Sequence, residues 1–281
     1  MAYQTLITIE ELLPHLDDSS WVVVDCRFSL ADIQEGKRNY FSAHITGAVY
    51  AHLNEDLSGV ILPGKTGRHP LPPVEKLSET FSAWGISEGV QVVTYDDRTG
   101  AIAAARLWWL LKWLGHAPVA VLEGGLQNWL SKGYPVRSGE EKHIARLFTP
   151  SPRWEMLVDS EAVERVLYDP AYRLIDARSA DRYRGENETI DPVAGHIPGA
   201  LSKPYGENLK PDGMFKTTDD IRSEYRLLLD DVPTNQVIAY CGSGVTAAHT
   251  ILTMAHAGMG MARLYVGSWS EWITDPKRPI A

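Results

Sequence analysis

Short, β-branched apolar runs recur along the chain. Trp21–Asp25, Gln91–Tyr95, Arg173–Asp176 and Gln236–Tyr240 are brief and almost continuously apolar, which predicts buried strands. Helical patterns separate them. Thr8-Ile9-Glu10-Glu11 has the spacing of a capping box and opens a helix running to about Leu16. Ala101–Leu114 is apolar on most faces and predicts a buried helix, with Trp108, Trp109 and Trp113 in the core or at a domain interface. Thr246–Ala257 reads the same way and stops near Gly258. Strands alternating with helices predict an α/β fold with a mostly parallel sheet covered by helices.

The two halves resemble each other in order. Val24-Asp25-Cys26-Arg27 is echoed by Ile175-Asp176-Ala177-Arg178, and His44-Ile45-Thr46-Gly47-Ala48 by His196-Ile197-Pro198-Gly199-Ala200. Gln91–Tyr95 matches Gln236–Tyr240, and Gly124-Gly125-Leu126-Gln127-Asn128-Trp129 matches Gly267-Ser268-Trp269-Ser270-Glu271-Trp272. A repeat this long means tandem domains rather than a solenoid. The polar stretch Arg137–Arg153, with Pro150 and Pro152, reads as the connection. The expected division is therefore 1–136, a linker at 137–153, and 154–281.

Composition narrows the function. The chain has 281 residues, 44% hydrophobic and 22% charged, enough to fill full cores. A formal charge of −9 repels phosphate backbones, so nucleic acid is not an expected partner. No apolar run is long enough to span a membrane, and Met1–Thr5 shows no secretory pattern, so a cytoplasmic protein is expected. Two cysteines support neither a disulfide framework nor a Cys-rich zinc site, but one can be a nucleophile.

That candidate is Cys241, in Tyr240-Cys241-Gly242-Ser243-Gly244-Val245-Thr246-Ala247. The segment joins a strand to a helix, and its two glycines let the backbone curl so that N–H groups converge as an anion nest. The helix N-terminus adds positive potential, so the Cys241 thiol is expected to be acidified. Cys26 lies in an apolar strand without such a loop and reads as packing.

The loop Cys241–Ala247 resembles the active-site loop of the tandem rhodanese family, the thiosulfate and 3-mercaptopyruvate sulfurtransferases. His196–Ala200, Gly267–Trp272, and Asp176-Ala177-Arg178 followed by Arg182-Tyr183-Arg184-Gly185 are similar to further signatures of that family. The resemblance covers nearly the whole chain. It implies two rhodanese-like domains and a persulfide on Cys241. Sulfur would come from a small-molecule donor and pass to thioredoxin, glutathione or another thiol, or to cyanide, without metal or cofactor. The position matching Cys241 in the first half is Asp96, which implies a catalytically silent first domain. A phosphatase is disfavoured because Ala247 stands where such a loop needs arginine.

The resemblance assigns the remaining site residues. Arg182 would bind the anionic end of the donor, with Gly242, Gly244, Val245 and Thr246 forming the cradle. Ser243 matches the hydroxyl of the mercaptopyruvate-type loop, and the neutral Gly242-Ser243 pair slightly favours 3-mercaptopyruvate over thiosulfate. His44 is a candidate to hydrogen-bond Ser243, with Asp32 or Glu35 as an acidic third member. One departure stands out: Glu186–Asp191 contains no second arginine. Thiosulfate:cyanide transfer and a non-catalytic sulfur-carrier or interaction module are the alternatives. Gly64-Lys65-Thr66-Gly67-Arg68-His69-Pro70 is basic and glycine-rich, lacks phosphate-loop spacing, and reads as a loop over a cleft.

Overall fold

The computed structural model describes residues 2–281. They form two compact units, residues 2–59 with 72–153, and residues 60–71 with 154–281. The first holds strands β1 (Leu6–Ile7), β2 (Trp21–Asp25), β3 (His44–Ile45), β4 (Val49–Tyr50), β5 (Gln91–Tyr95), β6 (Val119–Leu122) and β7 (Val136–Arg137). The second holds β8 (Leu157–Val158), β9 (Arg173–Asp176), β10 (Leu201–Ser202), β11 (Val237–Tyr240) and β12 (Arg263–Tyr265).

Each unit is built on a five-stranded parallel sheet, ordered β1-β6-β5-β2-β4 in the first and β8-β12-β11-β9-β10 in the second. The matched segments of the repeat take matched places: β2 corresponds to β9 and β5 to β11. Helices lie between successive strands, so the strands are buried on both faces and their sequences carry no polar alternation. Val22, Val23 and Val24 are all buried, as are Val237, Ile238 and Ala239. The capping box at Thr8 forms, but the α-helix covers only Ile9–Leu12; with Pro14 in the next turn the chain continues as a 3-10 segment over Leu13–His15.

A buried polar lock repeats with the sheets. In the first unit Asp25 accepts hydrogen bonds from Arg27 Nη2 at 2.6 Å and the Tyr95 hydroxyl at 2.8 Å, while that hydroxyl accepts the Ile45 N–H at 3.1 Å. In the second, Asp176 accepts from Arg178 Nη2 at 2.7 Å, and the Tyr240 hydroxyl accepts the Ile197 N–H at 3.1 Å. Unpaired, any of these buried groups would be costly. The Val-Asp-Cys-Arg and Ile-Asp-Ala-Arg echo is therefore scaffold chemistry.

Two segments depart from the expected division. Residues 137–153 are held by the first unit: Gly139 N–H bonds the Phe41 carbonyl, Arg146 N–H that of Ser82, and Arg153 N–H that of Trp113. Residues 60–71, inside the first half of the chain, belong to the second unit. A polar composition marked the former as a linker, but its polar backbone is consumed in specific bonds.

Candidate active site

Strand β11 ends at Tyr240 and delivers Cys241 to the carboxyl edge of the second sheet, the edge where parallel sheets place ligand sites. The loop is anchored on the turn after β12. Cys241 N–H donates to Ser268 Oγ at 3.1 Å, the Cys241 carbonyl accepts from Trp269 N–H at 3.0 Å, and the Gly242 carbonyl accepts from Ser270 N–H at 2.9 Å. Ser268 takes a left-handed conformation, φ 54°, and its hydroxyl is fixed on the Tyr265 carbonyl at 2.9 Å. Gly244 has φ 74°, which a side chain would resist, and this residue turns the loop into the helix Thr246–His256.

The cradle acts on the sulfur. Cys241 is buried, which pushes its pKa up. Hydrogen bonds from the Thr246 hydroxyl and from the Ser243 and Ala247 N–H groups pull it down and prevail, leaving it below the ordinary value of 9.0. Cys26 is the opposite case: burial, then the charges of Asp25 and Asp96, push its thiol well up. Of the predicted cradle, Thr246 thus bonds the sulfur directly, and Ser243, predicted for its hydroxyl, does so through its backbone N–H. Gly244 supplies the turn, and Val245 is the residue that precedes the first helical turn.

The corresponding loop in the first unit holds its own anion. Asp96, fully buried, accepts N–H bonds from Arg98 and Gly100 at 2.8 Å, from Ile102 at 3.0 Å, and from Ala103 and Ala104 at 3.2 Å. A strand-to-helix turn of this sequence type therefore builds an anion nest, and here a carboxylate fills it.

Ser243 is paired with a histidine, but not His44. Its hydroxyl lies 2.7 Å from His69 Nδ1, both side chains being buried. His44 is placed instead within the first unit, its Nδ1 2.8 Å from the Tyr40 carbonyl and its ring stacked on Tyr40. His196 repeats that arrangement on Tyr183, at 2.8 Å and stacked. A histidine serving the same local contact in both halves is a structural element of the repeat. Asp32 is engaged with Arg38 at the surface, so it is not the acidic member of a relay.

Arg68 joins His69 at the loop. Its N–H bonds Ser270 Oγ at 3.0 Å, and Gly67 passes so close to the β12 turn that a Cβ there would sit 2.5 Å from the Gly267 carbonyl oxygen. A Cβ on Gly242 would stand 2.7 Å from Arg68 Nη2 and 3.5 Å from Arg182 Nη2. Two guanidiniums therefore border the residue next to the nucleophile, and a side chain at Gly242 would have to displace the end of Arg68. Arg182 is held by Glu188, with Nε 3.0 Å from Oε2, and by Asp191, with Nη2 2.9 Å from Oδ2. Arg68 Nη1 pairs with the other oxygen of Asp191. Arg178 shares Glu188 with Arg182 but is held mainly by Asp176 and the Gly195 carbonyl, with its guanidinium over Trp269. Arg68 and His69 are the site residues the sequence reading did not assign; the basic, glycine-rich composition of their segment was its only signal.

Comparisons with known proteins agree with this geometry. The rhodanese-like domain family matches residues 8–132 and 159–275. A Pseudomonas aeruginosa protein named "probable 3-mercaptopyruvate sulfurtransferase" is 44% identical, over 100% of this chain and 99% of the relative. The bovine thiosulfate sulfurtransferase is 31% identical over 89% of this chain and 84% of its own. Among solved structures, the 3-mercaptopyruvate sulfurtransferase of Leishmania major superposes with a TM-score of 0.85 at 32% identity, covering 96% of this chain and 74% of that one. With two matched domains, a repeated sheet order and relatives that span its length, the chain belongs to the rhodanese family as a tandem, two-domain member.

Proposed function

We propose that the protein is a sulfurtransferase in which Cys241 carries sulfane sulfur as a persulfide, with 3-mercaptopyruvate the favoured donor. The observation that carries this reading is the acidified Cys241 thiol in a nest of N–H and hydroxyl donors, two residues before the serine of a Ser243–His69 pair. The thiolate attacks the donor sulfur. With 3-mercaptopyruvate the S–Cys241 bond forms as the C–S bond breaks, and the electron pair leaves on carbon as the enolate of pyruvate. That enolate needs a proton, which Ser243 and His69 are placed to relay. The same nest that holds the thiolate holds the persulfide anion. A thiol acceptor such as thioredoxin or glutathione, or cyanide, then takes the outer sulfur and returns the thiolate, a covalent two-step cycle.

Arg182, with Arg68, supplies the positive pole for the donor's carboxylate. Thiosulfate is the second reading, and Arg68 favours it, because a second guanidinium at Gly242 suits a dianion. Against that, both guanidiniums are already paired with carboxylates. The first unit, with Asp96 where a nucleophile would stand, is proposed to be catalytically silent. Two free cysteines, one of which must work as a thiolate, support a reducing compartment, the cytoplasm. Among the described residues no helix is long and apolar enough to cross a membrane. The test is a steady-state comparison of the two donors with a common acceptor: a higher kcat/KM for 3-mercaptopyruvate supports the reading, and a preference for thiosulfate reverses it.

A further inference from the structure

We infer that Asp191 is a specificity-determining residue, a buried carboxylate that holds two arginines beside Gly242 while cancelling enough of their charge to disfavour a dianionic donor. The inference rests on the sulfur-transfer reading above. One oxygen of Asp191 pairs with Arg68 and the other with Arg182, and its side chain is only 2% exposed. The two guanidiniums come from different parts of the chain yet both stand beside Gly242, Arg68 Nη2 2.7 Å and Arg182 Nη2 3.5 Å from where its Cβ would lie. Without an anion between them, like charges would be forced together there. Asp191 thus sets both where the two cations stand and how much charge they present.

The neighbouring carboxylates do other work. Asp176 serves Arg178, and Glu188 bonds Arg178 and Arg182 while also accepting the N–H groups of Ile190 and Asp191 at 3.0 and 2.9 Å. Glu188 thereby shapes the turn that carries Asp191. The cluster holds three arginines, 68, 178 and 182, against three carboxylates, Asp176, Glu188 and Asp191, and is balanced before the Cys241 thiolate is counted. A monoanionic donor adds one negative charge to that set and a dianionic donor adds two. At short range in a shielded site, one charge at Asp191 is enough to separate the two classes of donor.

The test is the ratio of kcat/KM for thiosulfate to kcat/KM for 3-mercaptopyruvate, with cyanide as common acceptor. Asp191→Asn, which keeps the shape and removes the charge, is expected to raise the ratio at least about tenfold. Arg68→Gln is expected to lower it about tenfold, and remains readable if Asp191→Asn does not fold. The double variant, with no net change in charge, should return to within about threefold of the unmodified ratio. Single variants whose ratios stay within about twofold of the unmodified protein, or that lose both donors equally, overturn the inference, because a merely structural role does not distinguish donors. If the unmodified protein loads Cys241 from neither donor, the sulfur-transfer reading itself falls; if it loads and the ratios do not move, only the role of Asp191 falls.

Discussion

His69 Nδ1 lies 2.7 Å from the Ser243 hydroxyl, joining a residue of the first half of the chain to the cysteine loop of the second. The pair is useful only where a proton must move. The enolate left by 3-mercaptopyruvate needs one, whereas the sulfite left by thiosulfate does not. Ser243→Ala and His69→Asn should therefore lower kcat for 3-mercaptopyruvate by about 10²-fold and affect thiosulfate by much less. Steady-state rates with both donors check this. Equal losses for both would reduce the pair to a loop anchor.

Arg182→Ala should raise the KM for the donor and cut kcat/KM by about 30- to 150-fold, the loss of one charge-assisted contact of about 2–3 kcal/mol. It should also lower the thermal midpoint, because Glu188 and Asp191 lose a buried partner. Kinetics and a melting curve on the same preparation separate the two effects.

The fold was legible because the repeat appeared twice, and the scaffold lock Asp-x-Arg with its tyrosine was written in both copies. Cys241 was legible because its nest is local: strand end, glycines and helix start are adjacent in sequence. Arg68 and His69 were not, since their role comes from a segment that leaves its own half and packs on the turn after β12, a contact no local pattern encodes. His44 looked functional because it sits in a matched motif, yet its partner Tyr40 is one helical turn away and the contact is repeated by His196 and Tyr183. The stretch after Arg182 holds no second arginine, but its Asp191 pairs with Arg68, a guanidinium that reaches Gly242 from a distant segment of the chain.

Asp96→Ala should destabilise the first unit by about 2–4 kcal/mol, since five N–H groups lose their acceptor. The corresponding drop in thermal midpoint is about 5–10 °C. Sulfur loading on Cys241 should survive below that transition. A variant with unchanged stability would mean that water replaces the carboxylate at no cost.

The pH dependence of loading follows from the sign of the Cys241 shift. Its pKa lies below 9.0, and only the thiolate attacks, so kcat/KM should rise with pH and level off with a midpoint below 9.0. Thr246→Val removes one of the bonds that lower it and should move the midpoint upward. A midpoint unmoved in Thr246→Val, measured from the acid limb of the profile, would show that the hydroxyl does not hold the thiolate.

The central claim is that sulfur resides on Cys241, and the mass of its peptide after donor treatment tests it most directly. One extra sulfur atom is predicted on the peptide containing Cys241, lost on adding cyanide or a thiol, absent in Cys241→Ser and retained in Cys26→Ser. Sulfur carried by the Cys26 peptide, or none on either peptide while sulfur transfer proceeds, would contradict the account.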